Sequence, residues 1–290
     1  MSKIIIIQER GRHDANRNFR ESCCLKRSFD AMGHDCVIWG KGHENFGEVP
    51  DFNLYDLVIN LENYGDEWLP DMSRWSRPFK MIWCIDAHVR GQEPYERIFR
   101  NGKYDILAHS TKAYVREKHH LWLPNCTDAS LVKPMPTVAK THRIGFCGNH
   151  VTPQRKQAVN LLSQVFGLKQ DIFVIGEDMV RAINSYHIHF NMNIANDINY
   201  RSFETLACGT VLVTNYSPEY LELGFVDGVN CFFYTDERDM VRVVTKAINM
   251  IGSPEFASIG DAGRQLFLER HTYAERAEKI LLCIERIGAS

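Results

Sequence analysis

Short, unbroken apolar runs alternate along the chain with stretches whose apolar residues recur every three or four positions. Residues 3–7 carry four consecutive isoleucines and predict a strand. Residues 15–32 predict a helix with Phe19, Cys23, Leu25 and Phe29 inward, stopping near Gly33. Strands are predicted at 35–39, 56–61, 80–86 and 106–110, with a sixth at 120–123. Helices fall at 94–100 and 112–118. The runs are continuous rather than alternating, as strands buried on both faces are. Strands alternating with helices imply a parallel sheet.

Between residues 124 and 141 the texture changes. Pro124, Pro134 and Pro136 stand among small polar residues and read as a linker. The alternation then restarts. Strands are expected at 143–147, 171–175, 187–192, 211–214 and 231–234. Helices are expected at 154–166 (Ala158, Leu161, Leu162 and Val165 inward), 199–208, 240–251, 254–270 and 274–287. The organisation that follows is α/β: a Rossmann-like domain at 1–125, a linker at 126–141, a second Rossmann-like domain at 142–272, and a C-terminal helix at 273–290 that packs back on the first domain. Two doubly wound domains facing across a cleft would place ligands beyond the carboxyl ends of the strands.

Composition narrows the class. Lys+Arg 34 against Asp+Glu 36 leaves a net charge of -2, without the basic excess of a dedicated nucleic-acid binder. No apolar run is long enough to cross a bilayer, and four isoleucines are too few for a signal peptide. The nine cysteines are scattered with no Cys-x-x-Cys pair, which fits reduced, buried thiols and a cytoplasmic protein. His119-His120 and His187/His189 lack a third donor at ligand spacing, so no metal site is expected. Neither the Gly-x-x-x-x-Gly-Lys-Ser/Thr phosphate loop nor the Gly-x-Ser-x-Gly elbow occurs.

The segment with most chemistry runs from Asn191 to Thr210. A strand ends, a polar loop crosses, and a helix begins near Asn196–Asn199. A helix N-terminus offers amide donors and a positive dipole end to an anion. Arg201 adds a fixed charge, and Glu204, one turn on, could accept two hydrogen bonds from a vicinal diol. The other reading is a capped surface helix with Arg201 and Glu204 as a weak (i, i+3) pair.

Tyr200-Arg201-Ser202-Phe203-Glu204-Thr205-Leu206-Ala207-Cys208-Gly209-Thr210, followed by Val211-Leu212-Val213-Thr214, resembles the signature of the CgeB-like (spore-maturation-protein) glycosyltransferases. These are group 1 glycosyltransferases of the GT-B fold. The resemblance continues in order through Ser217-Pro218-Glu219-Tyr220-Leu221, Phe225-Val226-Asp227-Gly228, Gly263-Arg264 and His271-Thr272-Tyr273-Ala274-Glu275-Arg276. Upstream, Ile144-Gly145-Phe146-Cys147-Gly148-Asn149 and Arg155 resemble the start of the donor domain. Over 1–125 it is fainter, resting on Trp83-Cys84-Ile85-Asp86-Ala87-His88 and Tyr104-Asp105.

The resemblance implies a nucleotide-diphosphate sugar as substrate, held by the second domain, and no cofactor. Glu204 would take the ribose hydroxyls. Gly148 and Asn149 would form a close loop by the diphosphate, with Arg155 neutralising the leaving phosphate. Asn199, Tyr200 and Arg201 would cap the same anion, and the loop at Gly176, Glu177 and Met179 would meet the base. Many group 1 enzymes carry a glutamate eight positions before the ribose-binding one; here that position is Asn196, a departure that bears on the donor sugar. The sequence contains no Asp-x-Asp, so leaving-group stabilisation without a metal is expected.

On the first domain, Asp86 and His88 follow a strongly apolar strand and are candidates to deprotonate an acceptor hydroxyl. Alternatively, Asp86 caps the next loop and His88 is a polar rim residue. Arg12 and His13, in the loop after the first strand, are acceptor-side candidates beside the reading of a solvated loop. A nucleotide-sugar epimerase or hydrolase on the same fold, and a non-catalytic nucleotide-sugar-binding protein, are the rival functions. A modified DNA base is a conceivable acceptor, but the acidic residues interleaved at 9–30 argue for a solvated face.

Overall fold

The computed structural model describes residues 1–63, 67–195 and 197–288. The chain divides into two compact units, one made of Met1–Asn125 with Tyr273–Ser290 and the other of Cys126–Thr272. Unit 1 is built on β1 (Lys3–Ile7), α1 (Glu21–Ala31), β2 (Asp35–Trp39), β3 (Leu57–Leu61), β4 (Phe79–Cys84), α2 (Ala87–Arg90), α3 (Glu93–Gly102), β5 (Ile106–His109) and β6 (His120–Trp122). Its six strands form one parallel sheet in the order β2-β1-β3-β4-β5-β6. Ile4 to Ile7 are at most 1% exposed, so β1 is covered on both faces as its unbroken apolar run requires.

The helix expected over 15–32 is broken. Asp14–Phe19 is a 3-10 turn, Arg20 is extended, and α1 starts only at Glu21. Gln8, at the exit of β1, sets that start: its Oε1 accepts from Ser22 N (3.0 Å) and its Nε2 donates to Glu21 (2.8 Å). The restart also moves an inner position from Cys23, which is half-buried, to Cys24, which is buried. The helix expected at 112–118 is only a 3-10 turn, Lys112–Tyr114.

Unit 2 contains β7 (His142–Gly148), α4 (Pro153–Phe166), β8 (Lys169–Ile172), α5 (Gly176–Asn184), β9 (Tyr186–Phe190), α6 (Tyr200–Ala207), β10 (Val211–Asn215), α7 (Pro218–Glu222), β11 (Phe232–Tyr234), α8 (Glu237–Met250) and α9 (Pro254–Arg270). Its five strands are parallel in the order β11-β10-β9-β7-β8. Residues 126–141, read as a linker, are packed into this unit: Cys126, Thr127, Asp128 and Val132 are buried. Lys140 Nζ donates to Tyr186 O (2.7 Å) and Thr210 Oγ1 (3.0 Å). Val165 is 53% exposed, because α4 buries Arg155, Ala158, Val159 and Leu162 instead. The strand expected over 171–175 stops at Ile172, where Phe173 turns to φ 58 and α5 follows. The last helix, α10 (Tyr273–Gly288), belongs to unit 1 and packs against α1. Its Arg276 donates to Pro124 O (2.8 Å) and Asn125 O (3.1 Å). No helix among the described residues is long and apolar enough to cross a membrane.

The core of unit 2 sets α6 against α9. A Cβ on Gly263 would stand 2.8 Å from Asn230 O and from the Leu206 side chain. Its neighbour Arg264 donates from Nη1 to Ala207 O at the end of α6 (3.0 Å). Gly209, at φ 65, then ends that helix in the left-handed turn that glycine adopts without strain. Gly263→Ala should therefore destabilise unit 2 by about 1–3 kcal/mol, the usual range for overpacking. Urea denaturation measures it, and an unchanged midpoint would mean that α9 retreats from α6 freely.

Candidate functional site

In a parallel sheet all strands end at one edge, and the helices that follow them begin there. In unit 2 that edge gathers the end of β7, the loops at 149–152 and 191–199, and the first turns of α4 and α6. Thr152 caps α4 by accepting from Arg155 N (3.2 Å). α6 starts differently: Asn199 makes no side-chain cap to it. Its Nδ2 donates inward to Asn191 Oδ1 (3.1 Å) instead. The Asn199 side chain thus does not cap the first turn of α6, a disposition that suits an anionic ligand.

The loop leading to α6 stands on a buried amide network. Asn191 donates to Ser202 Oγ and Thr214 Oγ1 (each 3.2 Å). Asn193 donates to Tyr220 Oη (2.9 Å) and accepts from Asn199 N (3.2 Å). Asn193 N donates to Asn215 Oδ1 (2.7 Å). Asn191, Asn193, Ser202, Thr214 and Tyr220 are all buried. Each buried polar group here needs a partner, so the network holds the loop in one shape. Sequence reading took Asn191 into the strand expected at 187–192 and left Asn193 in the polar loop, whereas the strand ends at Phe190; the Asn-Met-Asn alternation was the signal.

A second set of contacts fixes α6 to β7. The β7–β9 pairing runs to Gly145↔His189. Two residues further, Cys147 N donates to His189 Nε2 (3.2 Å). With Nε2 accepting, the His189 proton sits on Nδ1 and faces Thr205 Oγ1 on α6. Burial, with Arg201 nearby, pushes the His189 pKa down to about 3, so the ring is neutral. Arg201 Nε donates to Cys147 O (2.9 Å), and its Nη1 pairs with Glu204. Burial is the largest influence and opposes the Arg201 charge, but Glu204, with Cys147 and Tyr186, together outweighs it and the net pKa is raised.

Arg155, expected to neutralise the leaving phosphate, has its guanidinium engaged with backbone carbonyls. It is only 9% exposed, and its guanidinium donates to Asn149 O (3.2 Å) and to Met192 O. It therefore ties the loop after β7 to the loop after β9. Burial lowers its pKa, Asp197 offsets part of this, and Arg201 lowers it further. Two guanidiniums close enough to repel each other favour an anion beside them. Gly148 ends β7 and Asn149 follows it half-buried; Tyr200 opens α6 half-buried. Gly176 is buried as the first residue of α5, and Met179 is 2% exposed and turned into the core, so the segment expected as a loop is helical. Asn196 lies outside the described residues.

In unit 1 the corresponding strand edge carries Asp86 and His88. Asp86 is exposed and takes the N-cap position of α2 without a side-chain cap; His88 is half-buried. Burial of its surroundings raises the Asp86 pKa, while His88 and Arg90 lower it and Glu21 raises it. Arg12 and His13 are exposed on the loop after β1. Sequence reading missed Glu62. It sits one residue past β3 at φ 57, a left-handed conformation rare outside glycine. Its carboxylate accepts from Tyr95 Oη (2.6 Å), Ile85 N (2.5 Å) and Asp86 N (3.2 Å), holding the turn that presents Asp86. An acid directly after a strand apolar but for Asn60 was the only signal.

The family model described as glycosyl transferase-like matches residues 137–282. No curated protein sequence matches the chain. Among solved structures, a glycosyltransferase from Rickettsia africae ESF-5 is similar at TM-score 0.67 and 11% identity, over 99% of this chain and 98% of that one. Anabaena Alr3699/HepE in complex with UDP-glucose gives TM-score 0.67 at 12% identity, over 99% and 100%. An alpha-glucosyltransferase in complex with UDP and a 13-mer DNA gives TM-score 0.70 at 12% identity, over 98% and 99%. At such identity the likeness shows the fold: two parallel-sheet α/β units of the GT-B glycosyltransferase kind.

Glu62 generates a pH dependence. Burial pushes its pKa from 4.5 up to about 7, against the hydrogen bonds that favour the anion. The folded protein then holds a proton that the unfolded chain has released between about pH 4.5 and 7, so stability falls as pH rises through that window. Glu62→Gln stays neutral and should flatten the decline, the two stability profiles diverging by up to about 3 kcal/mol by pH 8. Urea denaturation across this range measures it; parallel profiles would show that Glu62 titrates alike in both states.

Proposed function

Because the chain belongs to the glycosyl transferase-like family, whose model spans half of it, we propose that it transfers a sugar from a nucleoside-diphosphate donor to an acceptor hydroxyl. The observation that carries this reading is the start of α6, where a helix not capped by the Asn199 side chain, Arg201 and Glu204 meet at the strand edge of unit 2. Two solved structures of this fold hold UDP or UDP-glucose, which supports a uridine diphosphate sugar as the first donor to test. Within the family, the ordered motifs from Tyr200 to Arg276 favour the CgeB-like branch.

As the glycosidic bond to the diphosphate breaks, negative charge grows on the leaving phosphate. The amides of the first turn of α6 and the Arg201 guanidinium meet that charge already oriented, so no reorganisation is needed at the moment of reaction. Arg201 is aimed by Cys147 O on one side and Glu204 on the other. Glu204 retains acceptor capacity beyond its bond to Arg201, and we assign this to the ribose hydroxyls. Gly148 and Asn149 bring backbone close to the diphosphate, and Arg155 acts by fixing that loop rather than as an exposed phosphate ligand. The absence of an Asp-x-Asp sequence supports a transfer step without a metal. On unit 1, Asp86 is assigned as the base for the acceptor hydroxyl, with His88 beside it and Glu62 holding its turn.

The test is thermal and chemical denaturation with UDP and UDP-glucose. A donor at 100 times its dissociation constant should add about 2.7 kcal/mol of stability. Glu204→Ala should lose that increment. Arg155→Ala should lose it too, and should also destabilise the free protein by about 1.5–3 kcal/mol through two lost charge-assisted hydrogen bonds. Equal stabilisation of parent and Glu204→Ala would overturn the donor assignment. Asp86→Asn should leave donor binding intact while slowing sugar transfer about 10²–10⁴-fold, the usual worth of a general base.

A further inference from the structure

His119-His120 has no third donor nearby in sequence, yet the fold brings one. β5 and β6 pair Leu107 with His120, so strand alternation sets Leu107, His109 and His120 on one face of the sheet. α3 supplies two residues there. Glu96 Oε1 lies 3.1 Å from His120 Nε2, and Phe99 stacks on the His119 ring with centroids 4.5 Å apart. One donor atom each from Glu96, His119 and His120 lies within 4.8 Å of the other two.

A second observation is independent of that spacing. The Nε2 atom of His119 and both ring nitrogens of His109 are buried without a hydrogen-bond partner. His109 is 0% exposed, and its ring centre is 5.0 Å from that of His120. Native proteins rarely leave buried nitrogens unsatisfied, and an unpartnered His119 Nε2 grouped with a carboxylate and a second imidazole calls for a ligand that accepts its lone pair. We propose that Glu96, His119 and His120 bind one divalent transition-metal ion of the class that takes imidazole and carboxylate together, with zinc as the reference ion.

The surroundings fit this chemistry. His120 Nδ1 lies 3.0 Å from Tyr114 O, so the tautomer that donates to this carbonyl presents the Nε2 lone pair to the metal. Arg116 N (3.1 Å) and Glu117 N (3.4 Å) donate to the same Nδ1, and metal loading exchanges those two bonds for the one to Tyr114. Zinc at about 2.0–2.1 Å from each donor needs donor spacings of about 3.4 Å. Glu96 and His120 already meet this, and His119 closes the remainder by sliding along Phe99. Two groups compete for Glu96: Gln92 Nε2 donates to Oε1 (3.0 Å), and Arg100 Nη1 is 3.8 Å from Oε2. Arg100 is exposed and already reaches Glu93 at 3.1 Å, so it can yield to a cation. The site lies wholly within unit 1 and ties α3 to β6. It is independent of the donor assignment in unit 2.

The full-length protein, stripped with chelator, is titrated with Zn²⁺ and with Co²⁺ as a spectroscopic probe. One equivalent is expected, with visible Co²⁺ bands and no thiolate-to-metal charge-transfer band, which separates this site from the cysteines. Mg²⁺ should not compete. His119→Ala and Glu96→Gln should each weaken binding by about 100-fold or more, the loss of a direct ligand exceeding that of an outer partner. Glu96→Gln conserves shape and serves if His119→Ala fails to fold. Absent uptake, a thiolate band, or undiminished affinity in Glu96→Gln would each overturn the proposal.

Discussion

The candidate donor site depends on how α6 is gripped by the end of β7. Both backbone groups of Cys147 are taken by side chains: its N–H by His189 and its carbonyl by Arg201. Thr205 links the two by facing His189 and donating to Arg201 O. Through this ring of contacts a β-strand, its neighbour and a helix become one rigid corner. The Arg201–Glu204 pair is part of that corner. Little of its worth is in stability, since half-buried ion pairs gain in attraction roughly what they lose in desolvation. What it provides is direction, because a guanidinium held on two sides cannot swing away from an anion at the helix start.

Polar burial near this corner follows the same logic. Asn191 and Asn193 would each be costly if unpaired, but Ser202, Thr214, Tyr220 and Asn215 meet them. A loop that must carry a ligand cannot be held by an apolar core, so it is held by hydrogen bonds on its buried side. Arg155 works similarly, spanning the loops after β7 and β9 through their carbonyls. In unit 1, Glu62 accepts from the β4–α2 turn and accepts its own strained backbone as the condition for reaching it.

Much of the fold was legible because it follows from local periodicity. α9 begins at Pro254 and ends at Arg270 as its pattern indicates, and β1 is the isoleucine run. The misreadings arise where a distant side chain overrides the local pattern. α1 starts late because Gln8 takes the Ser22 amide, and the strand at 171 ends early at the left-handed Phe173. For the site, Arg201 and Glu204 could be read from a strand–loop–helix passage. Glu62 could not, because its partners Ile85 and Tyr95 are 23 and 33 residues away. Arg155 was read as neutralising the leaving phosphate; its bonds to Asn149 O and, 37 residues away, Met192 O were not legible because Met192 arrives from the loop after β9. His119 and His120 likewise lacked a visible partner because Glu96 arrives from another helix.

The motif that carries the family resemblance also reads differently once its contacts are known. Gly263 admits Leu206 and Asn230, and Arg264 closes on Ala207 O. His271 packs on Phe203 and Phe225 while its Nε2 meets Leu223 O (2.8 Å). These residues lie 50 or more positions beyond α6, yet they bear on that helix or on the segment packed against it. A downstream pattern of Gly-Arg and His-Thr is therefore chiefly the scaffold of α6, the helix that carries Arg201 and Glu204. The signature is specific because the helix must be held from behind as closely as its front must be shaped. A chain that kept Arg201 and Glu204 but lost the glycine at 263 would keep the pair and displace the helix that carries it.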